Sequence, residues 1–331
     1  MNPWNTIQQL EADNSSLAKQ AILKPALDYV AESTGTVADY TDNDFIMGVQ
    51  LALDPMVTFG VKQVPVRTGK DGEGYPMKEF EELASQLQLR HLTGHDARDA
   101  IFQAMKLSTN EQWNDWYRRI LIKDLRCGTG AKLINKVAPD TVPLFGCMLA
   151  HDGAKHPKKI TGVCYIEYKY DGVRVIAIVQ NGIATLHSRN GKLLENFPHI
   201  EEALSKPEFE GLVFDGEVMS EDFQTLMRQV HRKEGAQTED SYLAVFDMLT
   251  LAEFNEGGTT MSAIDRRDRL TQLSSLFNYR IQLVEATLVN LDLDEGQAKF
   301  KAMNKLALDE GYEGLMIKPA HEGYKCKRSH A

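Results

Sequence analysis

The spacing of apolar residues changes part-way along the chain. Up to about residue 135, apolar residues recur every three or four positions, which is the spacing of amphipathic helices. This spacing predicts helices at residues 7–17, 21–31, 44–53, 78–87, 97–107 and 111–125. Short turns that contain glycine interrupt the pattern at residues 92–94 and 125–128. The first part of the chain is therefore predicted to be an all-α domain.

Beyond about residue 160, short apolar runs typical of strands alternate with helical periodicity. They predict strands at 163–168, 175–179, 183–188, 212–219, 242–249, 281–286 and 314–318, and helices near 199–205, 221–232, 261–276 and 295–309. Asn181-Gly182 stands between two strands and favours a type I′ hairpin turn. We therefore predict a multidomain chain, with a helical domain at 1–138, a linker at 139–160 rich in Pro and Gly, and an α+β domain with antiparallel sheets at 161–331.

Composition limits the class of protein. Of the 331 residues, 43% are hydrophobic, and no apolar run reaches the roughly 18 residues that a membrane span needs. No secretion signal is visible at the first residues. The 4 cysteines have no C-x-x-C spacing, so neither a zinc site nor a disulfide framework is implied. We expect a protein with no membrane partner in a reducing cytoplasm.

The segment Lys169-Tyr170-Asp171-Gly172-Val173-Arg174 carries the first candidate chemistry, and it follows one predicted strand and precedes another. A lysine amine can attack a phosphorus atom, an Asp-Gly turn can end the strand and aim the lysine, and an arginine can neutralise the anionic electrophile. A surface hairpin whose Lys and Arg are solvated would fit these six residues equally well. Other segments of the sequence are needed to distinguish a nucleophilic lysine from a solvated surface hairpin.

Four such segments follow in order, at residues 188–191, 215–217, 242–247 and 313–318, with the sequences SRNG, DGE, YLAVFD and EGLMIK. Arg174, Arg189 and Lys318 supply a positive field that favours a neutral, nucleophilic amine and holds an α-phosphate. Glu217 and Glu313 offer hard oxygen ligands, which suit Mg²⁺ beside a triphosphate. Phe246, near a strand end, is a candidate for stacking on a purine.

Together these segments resemble the ATP-dependent DNA ligases of the covalent nucleotidyltransferase superfamily, most closely the T-even phage type. The resemblance implies an ATP-grasp-like adenylation domain that uses ATP and Mg²⁺ and carries AMP on Lys169 as a phosphoramidate. It also implies roles in DNA repair, replication and recombination. The other implied contacts are Glu167 with the adenine amino group, Arg174 and Arg189 with sugar and phosphate, Glu217 with ribose or metal, Glu313 with metal, Lys318 with the α-phosphate and Phe246 with the base.

The charge pattern of the helical part decides whether DNA is a plausible partner. The net charge of −10 argues against nucleic acid, but a local basic footprint matters more than the total. Residues 118–136 are strongly basic, although a solvated helix face would look similar, and their L-R-C-G and N-K segments resemble the family's helical DNA-binding domain. The implied partner is nicked duplex DNA, bound by a monomer. The predicted DNA contacts are Arg118, Arg119, Arg126, Gly128, Lys132 and Lys136, with Gly128 freeing backbone amides before a helix.

The chain departs from the family at its last residues. In the family, a K-x-K motif and an OB-fold domain follow the Glu-Gly segment; here both are missing, and Lys325-Cys326-Lys327 lies too early to replace the motif. We therefore expect a truncated chain that binds adenine nucleotide but adenylates itself slowly and seals nicks poorly. The alternatives are an RNA ligase, a capping-type nucleotidyltransferase that uses GTP, and a non-catalytic fragment that binds nicks.

Overall fold

The computed structural model describes residues 2–27, 43–61, 63–143, 145–156, 160–220 and 240–326. The chain divides into two compact units, Met1–Leu144 and Phe145–Ala331, so the boundary falls inside the predicted linker. The predicted helix at 221–232 and the last residues, 327–331, lie outside the described residues.

The described regular structure of the first unit is helical. Its helices are α1 (Pro3–Ala12), α2 (Ser16–Leu27), α3 (Asp44–Leu53), α4 (Met77–Gln88), α5 (Gly94–Leu107), α6 (Asn110–Gln112), α7 (Arg118–Leu121) and α8 (Ala131–Val137), with a π-helical turn, Trp113–Tyr117, between α6 and α7. The helix predicted at 7–17 ends at Ala12, and the one predicted at 111–125 ends at Leu121.

Large aromatic side chains of the π-helical turn anchor it in the core. Trp113 and Trp116 are fully buried, and Trp116 stacks on Phe45 of α3 with ring centroids 5.6 Å apart. Tyr117 stacks on Phe80 of α4 at 4.3 Å. Residues three and four positions apart share one face of a helix, so the spacing of these three rings directs all of them into the core.

The described part of the second unit contains three sheets. Its strands are β1 (Val163–Tyr168), β2 (Val173–Gln180), β3 (Ile183–Ser188), β4 (Leu212–Met219), β5 (Tyr242–Thr250), β6 (Gly258–Thr259), β7 (Ile281–Leu283), β8 (Ala286–Asn290), β9 (Leu315–Pro319) and β10 (Tyr324–Lys325). The sheet orders are β3-β2-β4-β5-β7, β8-β1-β9 and β10-β6. Its described helices are α9 (Pro198–Leu204), α10 (Leu251–Asn255), α11 (Ala263–Leu273) and α12 (Asp294–Asp309).

The described strand pairs are antiparallel, as predicted, except that β5 and β7 pair in parallel, with Leu243 opposite Ile281. Between them the chain crosses over through α10, β6 and α11, and parallel neighbours need a connection of this kind. The single strand predicted at 281–286 is also two strands. β7 joins the five-stranded sheet and β8 the three-stranded sheet, so the chain changes sheets between them.

The strands on either side of Lys169 do not form a hairpin. β1 lies in the three-stranded sheet and β2 in the five-stranded sheet, so residues 169–172 connect two sheets. The hairpin predicted at Asn181-Gly182 is confirmed, because β2 pairs with β3 and both turn residues have positive φ, 56° and 73°.

Strand register decides which side chains of the three-stranded sheet share a face. Cys164 and Ile166 of β1 lie in a buried cluster with Phe300 and Met303 of α12. Glu167, which alternates with them, therefore belongs to the opposite face of β1, where it stands beside Met316 of β9. Glu167 is only 3% exposed on that face, which is thus covered as well.

Candidate active site

Lys169 and Glu313 are joined at the point where β1 ends and β9 is about to begin. The Lys169 N–H donates to the Gly314 carbonyl at 2.9 Å, and the Glu313 N–H donates to the Lys169 carbonyl at 3.3 Å. The Lys169 ammonium forms an ion pair with the Glu313 carboxylate, and their side chains are 45% and 43% exposed. The predicted nucleophile is thus accessible and is held beside one of the two predicted metal ligands.

Gly172 brings the connecting loop close to Glu217 of β4. A Cβ atom at Gly172 would lie 2.4 Å from the backbone carbonyl oxygen of Val218 and 2.7 Å from Cγ of Glu217, so the loop requires glycine here. Burial raises the pKa of Glu217 to about 7, with a further contribution from Asp215, against the opposing charges of Arg174 and Lys169. Lys169 therefore interacts with both predicted carboxylates, Glu313 by contact and Glu217 through its charge.

Arg174 of β2 is fixed by the buried carboxylate of Asp215. Its Nε and Nη2 donate to the two Asp215 oxygens at 2.6 and 2.7 Å, and Nη2 also donates to the Met148 carbonyl at 3.2 Å. The ion pair raises the pKa of Arg174, despite the opposing effect of burial. Two parallel bonds of this kind set the plane of the guanidinium.

Phe246 lies close to two predicted phosphate-binding cations. Arg174 Cζ and Lys318 Nζ are each 4.6 Å from the centroid of its ring. Lys318 also donates to the Phe246 carbonyl at 2.9 Å and pairs with Glu167 at 2.8 Å. Burial raises the pKa of Glu167, and the charge of Lys318 opposes that shift. The structure thus joins Glu167, Phe246, Arg174 and Lys318 into one group.

A cavity of about 550 Å³ adjoins this group. Arg174, Phe246 and Lys318 line it together with apolar side chains such as Met148, Leu315 and Ile317. Its size and mixed lining suit a nucleotide, in which a flat apolar base is joined to an anionic chain. Lys169, Glu217 and Glu313 are not among the described residues that line it.

A family comparison identifies the second unit. Residues 147–331 match the model of the ATP dependent DNA ligase domain. The chain belongs to this family. The match covers the segments that hold Lys169, Arg174, Glu217, Glu313 and Lys318, so the resemblance drawn from the sequence motifs is confirmed.

Comparison of this ligase-family chain with individual proteins gives the same family. The chain is 29% identical over 162 residues to a DNA ligase of Methanospirillum hungatei JF-1, a match that covers 46% of the chain and 28% of the relative. It is 26% identical over 250 residues to the DNA ligase of Enterobacteria phage T4, covering 61% and 50%. The chain thus spans half or less of these curated relatives. The solved structure Pmar-Lig_PreS3 is 42% identical with a TM-score of 0.57, and the match covers 100% of this chain and 77% of that one.

Arg189, the remaining predicted nucleotide contact of the ligase domain, is exposed just after β3. Its charge, with that of Arg174, acts on the buried thiol of Cys147, whose pKa burial raises to about 11. Arg174 and Arg189 therefore both lie near enough to the Cys147 sulfur for their charges to affect it.

The ligase domain also contains functional candidates that the sequence did not reveal. Asp215 lies in the Asp-Gly-Glu segment, but nothing in the sequence indicates that its partner is Arg174. Asp247 forms a bidentate pair with the buried Arg266 of α11, at 2.8 and 3.1 Å, which fixes the strand just after Phe246. The hydroxyl of Tyr324 bonds Asp215 at 2.6 Å, and no sequence pattern signals this contact.

The fit of a magnesium ion to the ligase domain rests on two carboxylates. Within the described parts of the chain, no group of three or more His, Cys, Asp or Glu side chains could hold a metal ion. Glu313 is in contact with Lys169, and burial, with a further contribution from Asp215, raises the pKa of Glu217 to about 7. These oxygens fit a magnesium ion whose other ligands come from phosphate and water.

The basic segment of the first unit separates into structural and exposed members. Arg119 is 8% exposed and pairs with Glu11 and Asp115, both at 2.8 Å, so its guanidinium has a structural role. Arg118 is half-buried, donates to the Val64 carbonyl at 3.0 Å, and has a pKa that burial lowers. The exposed predicted contacts are Arg126, Gly128, Lys132 and Lys136.

Two further sequence predictions concern the whole chain. The structure records all four cysteines as free thiols. None of the helices in the described ranges combines the length and the apolar character that crossing a membrane requires.

Proposed function

We propose that this chain acts as an ATP-dependent DNA ligase through a covalent AMP adduct on Lys169. The observation that carries the proposal is that Lys169 is held to the Glu313 loop by backbone hydrogen bonds and an ion pair, close to Glu217. The amine is accessible, it lies on a loop whose backbone is fixed to the Glu313 loop, and it forms an ion pair with the Glu313 carboxylate. Family membership supports the same reaction.

In the proposed nucleotide complex, the base stacks on Phe246 and the amino group of adenine bonds Glu167. Arg174, Arg189 and Lys318 bind sugar and phosphate oxygens. Lys318 now bonds both Glu167 and the Phe246 carbonyl, so it has to exchange these bonds when nucleotide enters. A magnesium ion held by Glu217, Glu313 and phosphate oxygens would supply positive charge that offsets the negative charge of the phosphates.

The first step forms a bond between Lys169 Nζ, after the exposed ammonium has lost a proton to solvent, and the α-phosphorus of ATP. The bond from that phosphorus to the bridging oxygen breaks, and pyrophosphate leaves with the electron pair. Two backbone hydrogen bonds to the Glu313 loop hold the main chain of Lys169 in place for this attack.

In the second step, an oxygen of the 5′-phosphate at a nick attacks the adenylyl phosphorus, the phosphorus–nitrogen bond breaks, and Lys169 takes up a proton from solvent and leaves as the amine. The 3′-hydroxyl then loses its proton to solvent and attacks the 5′-phosphorus of the DNA, which forms the phosphodiester and releases AMP with the electron pair of the broken bond. We propose that the first unit binds nicked duplex DNA through phosphate contacts of Arg126, Gly128, Lys132 and Lys136, with a monomer as the acting species.

The decisive experiment is incubation of the chain with ATP labelled at the α-phosphate and Mg²⁺, followed by a denaturing gel and intact mass. We expect a mass gain of one AMP that maps to Lys169 and is lost in Lys169→Ala. Lys299→Ala, an exposed lysine of α12, is the matched control and should label like the original chain. An adduct that survives Lys169→Ala would refute the assignment.

The alternatives give different results in the same assay. Labelling by GTP in preference to ATP would indicate a capping-type enzyme. Transfer of AMP to a nick in RNA but not in duplex DNA would indicate an RNA ligase. Binding of nicked DNA without any lysine adduct would indicate a non-catalytic nick-binding protein.

A further inference from the structure

Tyr324 has a hydroxyl with two buried partners. The residue is 1% exposed in β10. Its hydroxyl donates to Oδ2 of Asp215 at 2.6 Å and accepts from the Met148 N–H at 3.0 Å. Asp215 is 109 residues away in the sequence, and Met148 is 176 residues away, so tertiary structure alone creates these contacts.

Both partners of Tyr324 also bind Arg174. Asp215 accepts two bonds from the guanidinium, and the Met148 carbonyl accepts a third at 3.2 Å. Tyr324, Asp215, Arg174 and Met148 therefore form a closed ring of hydrogen bonds. Phe246 borders the ring, because the Arg174 guanidinium lies 4.6 Å from its ring centroid.

This ring restricts a side chain that would otherwise be mobile. An arginine side chain has many rotamers, and ordering it costs conformational entropy. Asp215 can orient Arg174 only if its own carboxylate is fixed, and the Tyr324 hydroxyl binds the oxygen that also receives Nη2. Removal of that hydroxyl would also leave the Met148 N–H without its partner.

We propose that Tyr324 is a positioning residue for nucleotide binding, which acts through Asp215 to aim the guanidinium of Arg174 at the anionic part of ATP. The proposal rests on the proposed function above. Tyr324 touches no reacting atom; its effect passes through two hydrogen bonds. A purely structural Tyr324 would matter instead through its ring, which lies under Arg266 at 5.8 Å, and through the pairing of β10 with β6.

The variant Tyr324→Phe separates these roles, because it keeps the ring and deletes only the hydroxyl. The rate of adduct formation is measured over a range of ATP concentrations, with ATP affinity and melting temperature measured on the same samples. We expect the rate at limiting ATP to fall about tenfold, the loss typical of a hydrogen bond to a charged group. Tyr279→Phe is the control: Tyr279 is 70% exposed, and its hydroxyl accepts a bond from Arg280 Nε at 2.9 Å.

A double-mutant cycle tests whether Tyr324 acts through Arg174. Arg174→Lys keeps the positive charge and removes the two-pronged contact with Asp215. If Tyr324 acts only by aiming that guanidinium, adding Tyr324→Phe to Arg174→Lys should cause little further loss of rate. Rate losses that multiply would mean independent effects and would overturn the proposal.

Three other outcomes are also informative. If Tyr324→Phe is poorly folded, Asp215→Asn, which weakens the same ring at its centre, replaces it in the cycle and should show the same dependence on Arg174. Wild-type rates in a folded Tyr324→Phe would refute the positioning role while leaving the ligase reaction intact. A wild-type chain that neither binds ATP nor forms the adduct would refute the proposed function, and this role with it.

Discussion

The main chains of Lys169 and Glu313 bond each other on the same short stretch where their side chains form an ion pair. Neighbouring rings reinforce the contact. Tyr312, just before Glu313, stacks on Tyr168 at 4.6 Å and meets Tyr170 edge-on at 5.4 Å. The loop that carries Lys169 and the loop that carries Glu313 are therefore held together by backbone hydrogen bonds, an ion pair and ring contacts, although they are far apart in the sequence.

Replacement of the Glu313 carboxylate should impair adduct formation. Glu313→Gln keeps the side-chain shape but removes the negative charge that pairs with Lys169. It also removes one of the two carboxylates proposed to bind the metal ion. We expect the rate to fall by about 100-fold, and the Mg²⁺ concentration for half-maximal rate to rise. The exposed Glu310→Gln is the control. Equal rates and equal Mg²⁺ dependence in the two variants would contradict this role.

The rings beside Lys169 should matter for its rate and less for nucleotide affinity. Tyr312→Ala removes both ring contacts, each worth about 1 kcal/mol, so the rate at saturating ATP should fall by up to about 30-fold. Tyr312→Phe keeps both rings in contact and should react like the original chain. Gel assays of adduct formation and melting curves check this; equal rates in the two variants would contradict it.

The exposed basic residues of the first unit should govern the salt dependence of DNA binding. The triple variant Arg126→Gln, Lys132→Gln, Lys136→Gln should reduce the slope of log affinity against log salt by about one for each DNA phosphate that is no longer neutralised. Titration of nicked duplex at several salt concentrations measures it, with exposed Lys78→Gln as control. Arg119→Gln should instead lower the melting temperature, because its ion pairs hold α1 against the π-helical turn.

The stability of the first unit should rise as pH increases above about 7. Lys123 donates to the Leu51 and Asp54 carbonyls at 2.6 and 2.7 Å, and burial lowers its pKa from 10.5 to about 7. Between these two values the unfolded chain holds the proton more often than the folded chain, so raising the pH favours folding. Urea unfolding across this range should show the rise.

The variant Lys123→Met keeps the aliphatic stem without the titrating group, so its pH dependence over that range should be weaker. Exposed Lys132→Met should keep the original dependence. Parallel pH profiles for Lys123→Met and the original chain would show that another group is responsible.

Local patterns in the sequence are enough to predict many elements of this chain. The amphipathic spacing in 44–53, 78–87 and 97–107 corresponds to α3, α4 and α5, because every third or fourth residue of a helix shares a face. Asn181-Gly182 predicts its own turn, since both residues tolerate positive φ. The order of the motifs was likewise sufficient to indicate the ligase family, which the match over 147–331 confirms.

Only the tertiary structure decided which distant segments meet. Whether β1 and β2 share a sheet, whether 281–290 forms one strand or two, and whether Arg119 faces solvent or Glu11 all depend on packing between remote segments. The same holds for Tyr324, whose partners lie more than a hundred residues away. The periodicity of apolar residues shows only which residues share a face of the same helix or strand. The sequence therefore determined the local elements and the chemical groups, and folding determined which of those groups touch.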